Sequence, residues 1–316
     1  MCASRNTNFT WYPSNAVSAG TTVELTEDDF QGVEDTLRDY ALYSKFCITK
    51  LYIPERITHL GTRAFSSCLN VQDFSISRNL VSIGNGCFGS LGTRDAQGEA
   101  SDLGEFYLGA TVNSIGGSAF QYAQFSSFDT DDLPLDVRLG SSIFNGSRWW
   151  KGLSFGAVLI RQNTILCAFK SDGNNPITQE LYSIPDSVLR IATSALNISN
   201  VSSDADQKPT ALVIPDSVQT IDDRPGTYSV VRLTVGSNVA SIGKVLAPSS
   251  TTNVFVFRQS EAMEVLLPTP GENTGLAYQK SSRAVDVYTD NLAIRAYDWA
   301  TDNATVTFHP LSEAPT

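Results

Sequence analysis

Apolar residues recur along the chain in one short figure: an apolar residue, another four on, a third three later, and then usually a small residue. It stands at Ile53, Ile57 and Leu60-Gly61, at Ile76, Leu80 and Ile83-Gly84, and at Leu108, Val112 and Ile115-Gly116. It returns at Ile184, Val188 and Ile191-Ala192, at Ile214, Val218 and Ile221, and at Val235, Val239 and Ile242-Gly243. Ahead of most copies stands an apolar triplet of period two: Leu51-Tyr52-Ile53, Phe74-Ser75-Ile76, Phe106-Tyr107-Leu108, Leu212-Val213-Ile214 and Leu233-Thr234-Val235. Such alternation puts the outer two residues on one face of a strand and the middle one on the other. Pro54, Pro185 and Pro215 follow three of these strands at the same place. Proline fixes φ and offers no ladder donor, so it ends the strand and opens a turn.

From Ile53 the strands advance by 23, 32, 76, 30 and 21 residues, a short base period interrupted by insertions. A unit this small cannot bury its own apolar face and must stack on its neighbours. The pattern predicts a mainly β chain, a curved parallel-β solenoid of about nine coils with capped ends. Small–aromatic pairs follow the figure at Ala64-Phe65, Cys87-Phe88, Ala119-Phe120 and Ile143-Phe144. Their rings are expected to stack in a column on the convex side, each burying ~150 Å² or more.

The run from Ile53 to Cys68 and the run Ile184-Pro185-Asp186-Ser187-Val188 resemble the BspA-type (Treponema-like) leucine-rich repeat, whose unit reads roughly IPdsVtsIGdyAFsgCssL. The resemblance extends from about residue 50 onward and is clearest over 51–127. It implies a surface adhesion protein of a cell, or a protein on the outside of a phage particle. The late copies depart from the unit: Ile221-Asp222-Asp223-Arg224-Pro225 lacks the glycine and the Ala-Phe pair, so irregular coils are expected there.

Three regions follow from this reading: an arm and capping helix over 1–49, the solenoid over 50–254, and degenerate coils with a cap over 255–316. The helix is expected over 26–45, with Thr26 as N-cap and Phe30, Val33, Leu37, Tyr40 and Ala41 as its apolar stripe. At the far end, Val285–Tyr288 reads as a last strand and Asn291–Ala300 as a short helix anchored by Trp299; the resemblance gives the same stretch a terminal module. An insertion at about 145–180 holds a β-hairpin, with Val158-Leu159-Ile160 and Ile165–Phe169 flanking Gln162-Asn163-Thr164.

Composition narrows the chemistry. Lys+Arg number 22 against 33 Asp+Glu, so the net charge is 22 − 33 = −11, and no nucleic-acid partner is expected because phosphates need counter-charge. No apolar run reaches ~18 residues, so no membrane insertion is expected. The start of the chain shows no apolar core of a secretory signal, which directs the expectation towards a virion. Five cysteines, Cys2, Cys47, Cys68, Cys87 and Cys167, lie scattered without a CxxC pair, which excludes a dense disulfide framework and a four-thiolate zinc site. Cys68 reads as a packed free thiol.

Gly84-Asn85-Gly86-Cys87-Phe88-Gly89 fits the dinucleotide fingerprint, but no helix is expected after it to receive a pyrophosphate, and it aligns with its neighbouring repeats. His59 falls in a repeat turn and His309 in the tail, and GxSxG and HExxH are absent. The acidic stretch Asp129, Asp131, Asp132 and Asp136 lacks the glycine of a calcium loop and reads as a solvated rim. Neither metal nor cofactor is expected, and no enzyme.

The expected function is recognition. The middle strand residues Tyr52, Ser75, Tyr107, Asp129, Ser183, Val213 and Thr234 are predicted to form one continuous outward face for a protein or glycan on a host surface. Tyr52 and Tyr107 are its flat anchors. Trp149 and Trp150, between Arg148 and Lys151, are a secondary candidate. The alternatives are a structural spacer held to other virion proteins through residues 1–25 and, less favoured, a hydrolase using the acidic cluster.

Overall fold

The computed structural model describes residues 23–25, 30, 32–93, 100–170, 181–198, 210–226, 230–247, 252–270, 275–276, 283–299 and 304–315. They fall in two compact units, 1–153 and 154–316. The architecture is parallel β-solenoid of about ten turns with very little helix.

The first unit holds β1 (Val23–Leu25), β2 (Thr36–Leu37), β3 (Ile48–Tyr52), β4 (His59–Leu60), β5 (Asp73–Ser75), β6 (Ser82–Ile83), β7 (Glu105–Tyr107), β8 (Ser114–Ile115), β9 (Ser127–Asp129) and β10 (Arg138–Leu139), then helix α1 (Arg148–Gly152). The period-two triplets supply β3, β5 and β7, which pair in parallel with β1 and β9 in the orders β1-β3-β5 and β7-β9. The third residue of the apolar figure supplies a second ladder, β10-β8-β6-β4-β2, also parallel. His59 is therefore a strand residue of β4 and not a turn residue.

Each coil turns between its two strands on a short hydrogen bond, as from Ile57 N to the Pro54 carbonyl at 3.0 Å. The small–aromatic pairs bond coil to coil as well: Leu42 N to Ala64 O, Phe65 N to Cys87 O, Phe88 N to Ala119 O and Phe120 N to Ile143 O, all within 2.9 Å. Above these amides the rings stack as a column. Centroids lie 5.3, 5.1 and 5.7 Å apart from Phe65 through Phe88 and Phe120 to Phe144, with planes 10–11° from parallel. Phe106 and Phe125 meet this column edge-on. Every apolar residue of the six figures is at most 5% exposed except Ile76, which is half-buried.

The second unit holds β11 (Gly156–Ile160), β12 (Ile165–Lys170), β13 (Leu181–Ser183), β14 (Arg190–Ile191), β15 (Ala211–Ile214), β16 (Thr220–Ile221), β17 (Arg232–Val235), β18 (Ser241–Ile242), β19 (Val254–Phe257), β20 (Arg283–Tyr288), α2 (Leu292–Ala296) and β21 (Ala304–His309). Its ladders run β11-β12-β14-β16-β18 and β13-β15-β17-β19-β20-β21. The strands β11 and β12 form the hairpin, antiparallel, with Arg161, Gln162 and Asn163 at positive φ in the turn. The hairpin is not set aside from the coils: β12 pairs in parallel with β14 and so joins the hairpin to the ladder. The late coils, expected to be irregular, keep their register through a six-stranded sheet.

Two expectations at the ends are corrected. No helix forms in the described part of 26–45; Thr36–Leu37 is a ladder strand paired with His59–Leu60, and Ala41-Leu42 occupies the place of Ala64-Phe65. Thr26 and residues 27–29 lie outside the described residues, as do residues 1–22 of the arm. Val285–Tyr288 belongs to β20, but the last strand is β21. Between them α2 is capped by Asn291, whose side chain accepts from Ile294 N at 3.1 Å. Trp299 is buried against Phe255 and Phe257, its indole Nε1 donating to Ile294 O at 3.2 Å.

Candidate functional site

The outward residues do line up across neighbouring coils, but not as one row. Tyr52 stands opposite Ser75 in β3-β5, and Tyr107 opposite Asp129 in β7-β9. Ser183, Val213 and Thr234 are in register in the six-stranded sheet, which carries the row on to Val256, Tyr288 and His309. The continuous face is thus three separate ladders, because β5 and β7 do not pair. Thr234 is a further correction: it is buried and offers nothing to solvent.

The two tyrosines are held in the same way. Tyr52 Oη donates to Asp73 Oδ2 at 2.6 Å, and Tyr107 Oη to Asp132 Oδ2 at 2.9 Å. The second hydrogen bond pushes the Tyr107 phenol above its usual value, since the neutral hydroxyl is the form that donates. The Tyr107 ring lies over Gly109, where an added Cβ would fall on ring carbons, and the Arg78 guanidinium stands 5.2 Å from its centroid. Asp73 and Arg78 carry no signal of their own in the sequence, and Asp132 reads there only as part of the acidic rim, although each carboxylate lies about one repeat period beyond its tyrosine.

Trp149 lies in α1, whose N-cap Ser147 accepts from Trp150 N at 3.1 Å. Its ring meets Phe128 and Phe144 edge-on, at 5.4 and 5.0 Å, so it closes the aromatic column. Trp150, on the same short helix, stays half-buried.

Nucleophilic and metal chemistry find little material. His59 Nδ1 lies 2.8 Å from Ser82 Oγ, but no carboxylate among the described residues orients its other nitrogen as an activated Ser/His pair needs. His309 Nε2 lies 2.9 Å from Asp286 Oδ1 and stacks on Tyr288. Among the described residues no group of three or more His, Cys, Asp or Glu is placed to hold a metal ion. In the acidic stretch, Asp129 Oδ1 accepts from Asp131 N and Asp132 serves Tyr107. An open depression of about 290 Å³ between the turns 110–113 and 134–138 is lined by Thr111, Asn113, Asp136 and Arg138. Among the described residues no helix is long and apolar enough to cross a membrane.

Cys68, Cys87 and Cys167 are buried free thiols, and Cys47 is disulfide-bonded. Cys68 Sγ donates to the Leu42 carbonyl at 2.9 Å.

The chain matches the family model described as the BspA type leucine rich repeat region, in six copies, with residues 35–97 matched. No curated protein matches it. Solved structures with a similar fold include a leucine rich cell surface protein of Faecalibacterium prausnitzii A2-165, at 16% identity over 77% of this chain and 74% of that one, with a TM-score of 0.33. The pneumococcal vaccine antigen PcpA matches at 15% over 88% and 71%, TM-score 0.33. A leucine-rich repeat protein of Eubacterium ventriosum ATCC 27560 matches at 16% over 87% and 70%, TM-score 0.37. Likeness this slight carries no functional argument, and the assignment rests on the repeats themselves. With its apolar figure, glycine step and small–aromatic pairs in register, the chain carries leucine-rich repeats of the BspA type.

Proposed function

We propose that this chain is a non-enzymatic recognition protein of a cell surface, binding a protein or glycan over the outward strand faces of its first unit. The observation that carries the reading is the fixing of Tyr52 and Tyr107 by carboxylates of the following coil. Aromatic rings already held in place offer contact area with little rotamer freedom left to lose, the property of binding hot spots. Ser75 and Asp129 beside them supply polar contacts. The disulfide at Cys47 supports a place outside the reducing cytosol, and it favours a cell surface over a virion. A net charge of −11 disfavours nucleic acid as the ligand.

The test is an array of immobilised glycans and extracellular proteins probed with the labelled protein. Binding to a subset is expected, and Tyr52→Ala/Tyr107→Ala should weaken it at least tenfold, about 1.4 kcal/mol. Absence of binding, or undiminished binding by a folded double variant, would overturn the reading.

A further inference from the structure

The outward side of the six-stranded sheet is not bare. Thr234 of β17 and Val256 of β19 point away from the core, yet they are only 5% and 4% exposed. The segment that follows β21 reaches this side of the sheet. Leu311–Glu313 form a 3₁₀ turn, and Leu311 N donates to Asp290 Oδ1 at 3.1 Å, just past the end of β20. Four residues later the Pro315 carbonyl accepts from Arg232 Nη1 of β17 at 3.1 Å. Strand β21 lies three places from β17 in the order β17-β19-β20-β21, roughly 14 Å at ~4.8 Å per strand. The segment 310–315 therefore runs back across β20 and β19 to β17, over the outward positions that are buried.

The segment has the chemistry of a ligand. In a 3₁₀ turn residues three apart share one side. Leu311 and Ala314 are half-buried, whereas Pro310, Ser312, Glu313 and Pro315 are exposed, so an apolar side faces the sheet and a polar side faces solvent. Pro310 (φ −59°, ψ 146°) and Ala314 (φ −61°, ψ 138°) both have polyproline-II backbone on either side of the turn. Such backbone has little conformational freedom to lose on docking. The Arg232 guanidinium reads a main-chain carbonyl, a contact independent of side-chain identity.

We propose that the outward groove over β17, β19 and β20 is a binding site for short proline-bounded peptides with an apolar pair spaced three apart, and that residues 310–315 occupy it as an internal ligand. This rests on the reading of outward strand faces as binding surfaces, extends it from the first unit to the second, and names the ligand class there. An incoming peptide of that class displaces the segment.

The probe is a fluorescein-labelled synthetic peptide of residues 309–315, followed by fluorescence anisotropy. A variant ending at His309 should bind it saturably and at least tenfold more tightly than the full chain does. Within that variant Arg232→Ala should weaken binding several-fold, and a peptide with aspartate in place of Leu311 should not bind. A folded truncated variant that ignores the peptide overturns the proposal. Should the truncated variant fail to fold, the full chain carrying Leu311→Asp/Ala314→Asp is the receptor, and its failure to bind overturns the proposal equally. Peptide binding without any array binding overturns the broader reading alone; array binding without peptide binding overturns this one alone.

Discussion

Arg190 meets Asp222 through two hydrogen bonds, Nε to Oδ1 at 2.9 Å and Nη2 to Oδ2 at 2.7 Å, with Arg190 only 8% exposed. The fork of the guanidinium matches both carboxylate oxygens, and the pair joins β14 to the residue after β16. Asp222 stands where earlier coils have glycine, so the pair compensates for a departure from the repeat.

Breaking this pair from one side leaves a charge without its partner. Asp222→Ala is expected to destabilise the second unit by about 3–5 kcal/mol, while Arg190→Met/Asp222→Leu costs much less because no charge is stranded. Urea unfolding of the three proteins decides it. Equal losses for the single and double variants would mean that packing, not charge, is what the site supplies.

Gly84 sits directly over the preceding coil, where an added Cβ would fall on the Gly61 carbonyl carbon and Thr62 nitrogen. Backbone cannot swing aside as a side chain can, so Gly84→Ala should cost about 1–3 kcal/mol as overpacking. Gly152, at the end of α1, has nothing within 4 Å of the same position. Gly152→Ala should be neutral or mildly stabilising, because alanine is the better helix former. Thermal melts of the two variants, side by side, check the contrast.

Phe88 is sandwiched between Phe65 and Phe120 and touches Phe74, Phe106 and Phe125 edge-on. Phe88→Ala opens a cavity in the centre of the column and should cost about 3–5 kcal/mol. Phe155 is half exposed, under the Lys170 ammonium, and Phe155→Ala should stay within about 0.5 kcal/mol of the parent. A loss at Phe88 no larger than that at Phe155 would contradict the column.

Burial pushes the thiols of Cys68 and Cys167 up to about 12, and that of Cys87 upward too. In the unfolded chain they ionise near 9.0. Above that pH the unfolded state gives up thiol protons that the folded state keeps, so stability is full below about pH 9 and falls as pH rises towards 12. The urea midpoint should drop between pH 8 and pH 10.5, less so in Cys167→Ala. A disulfide-exchange reagent at pH 8 should leave these thiols unmodified until the protein is unfolded; rapid labelling of the native protein would contradict their burial.

The apolar figure was legible because its spacing repeats, and it located Ile83, Ile115 and Ile242 in the core from the sequence. The same spacing hid the first coil. Steps of four and three residues are also the stripe of an amphipathic helix, so Phe30, Leu37 and Ala41 read as one. The second ladder escaped notice because two-residue strands such as Ser82–Ile83 have no alternation of their own. The outward row was legible by parity, which is local. Its division into three ladders was not, since strand pairing is a property of distance in space, and neither was the burial of Thr234, on a strand whose Arg232 bonds to Pro315 some eighty positions away.

Leu60, Ile83, Ile115 and Leu139 keep one register although they lie 23, 32 and 24 residues apart. The chain between fixed rungs can thus lengthen by nine residues while the rungs stay aligned, because loop closure grows only slowly costlier with length. A foreign epitope spliced between Gly92 and Leu103 would be carried by a scaffold that already accommodates a longer connection there. The coil is in this sense a graftable unit, and duplicating or exchanging one asks only that glycine and phenylalanine meet their own kind on either side.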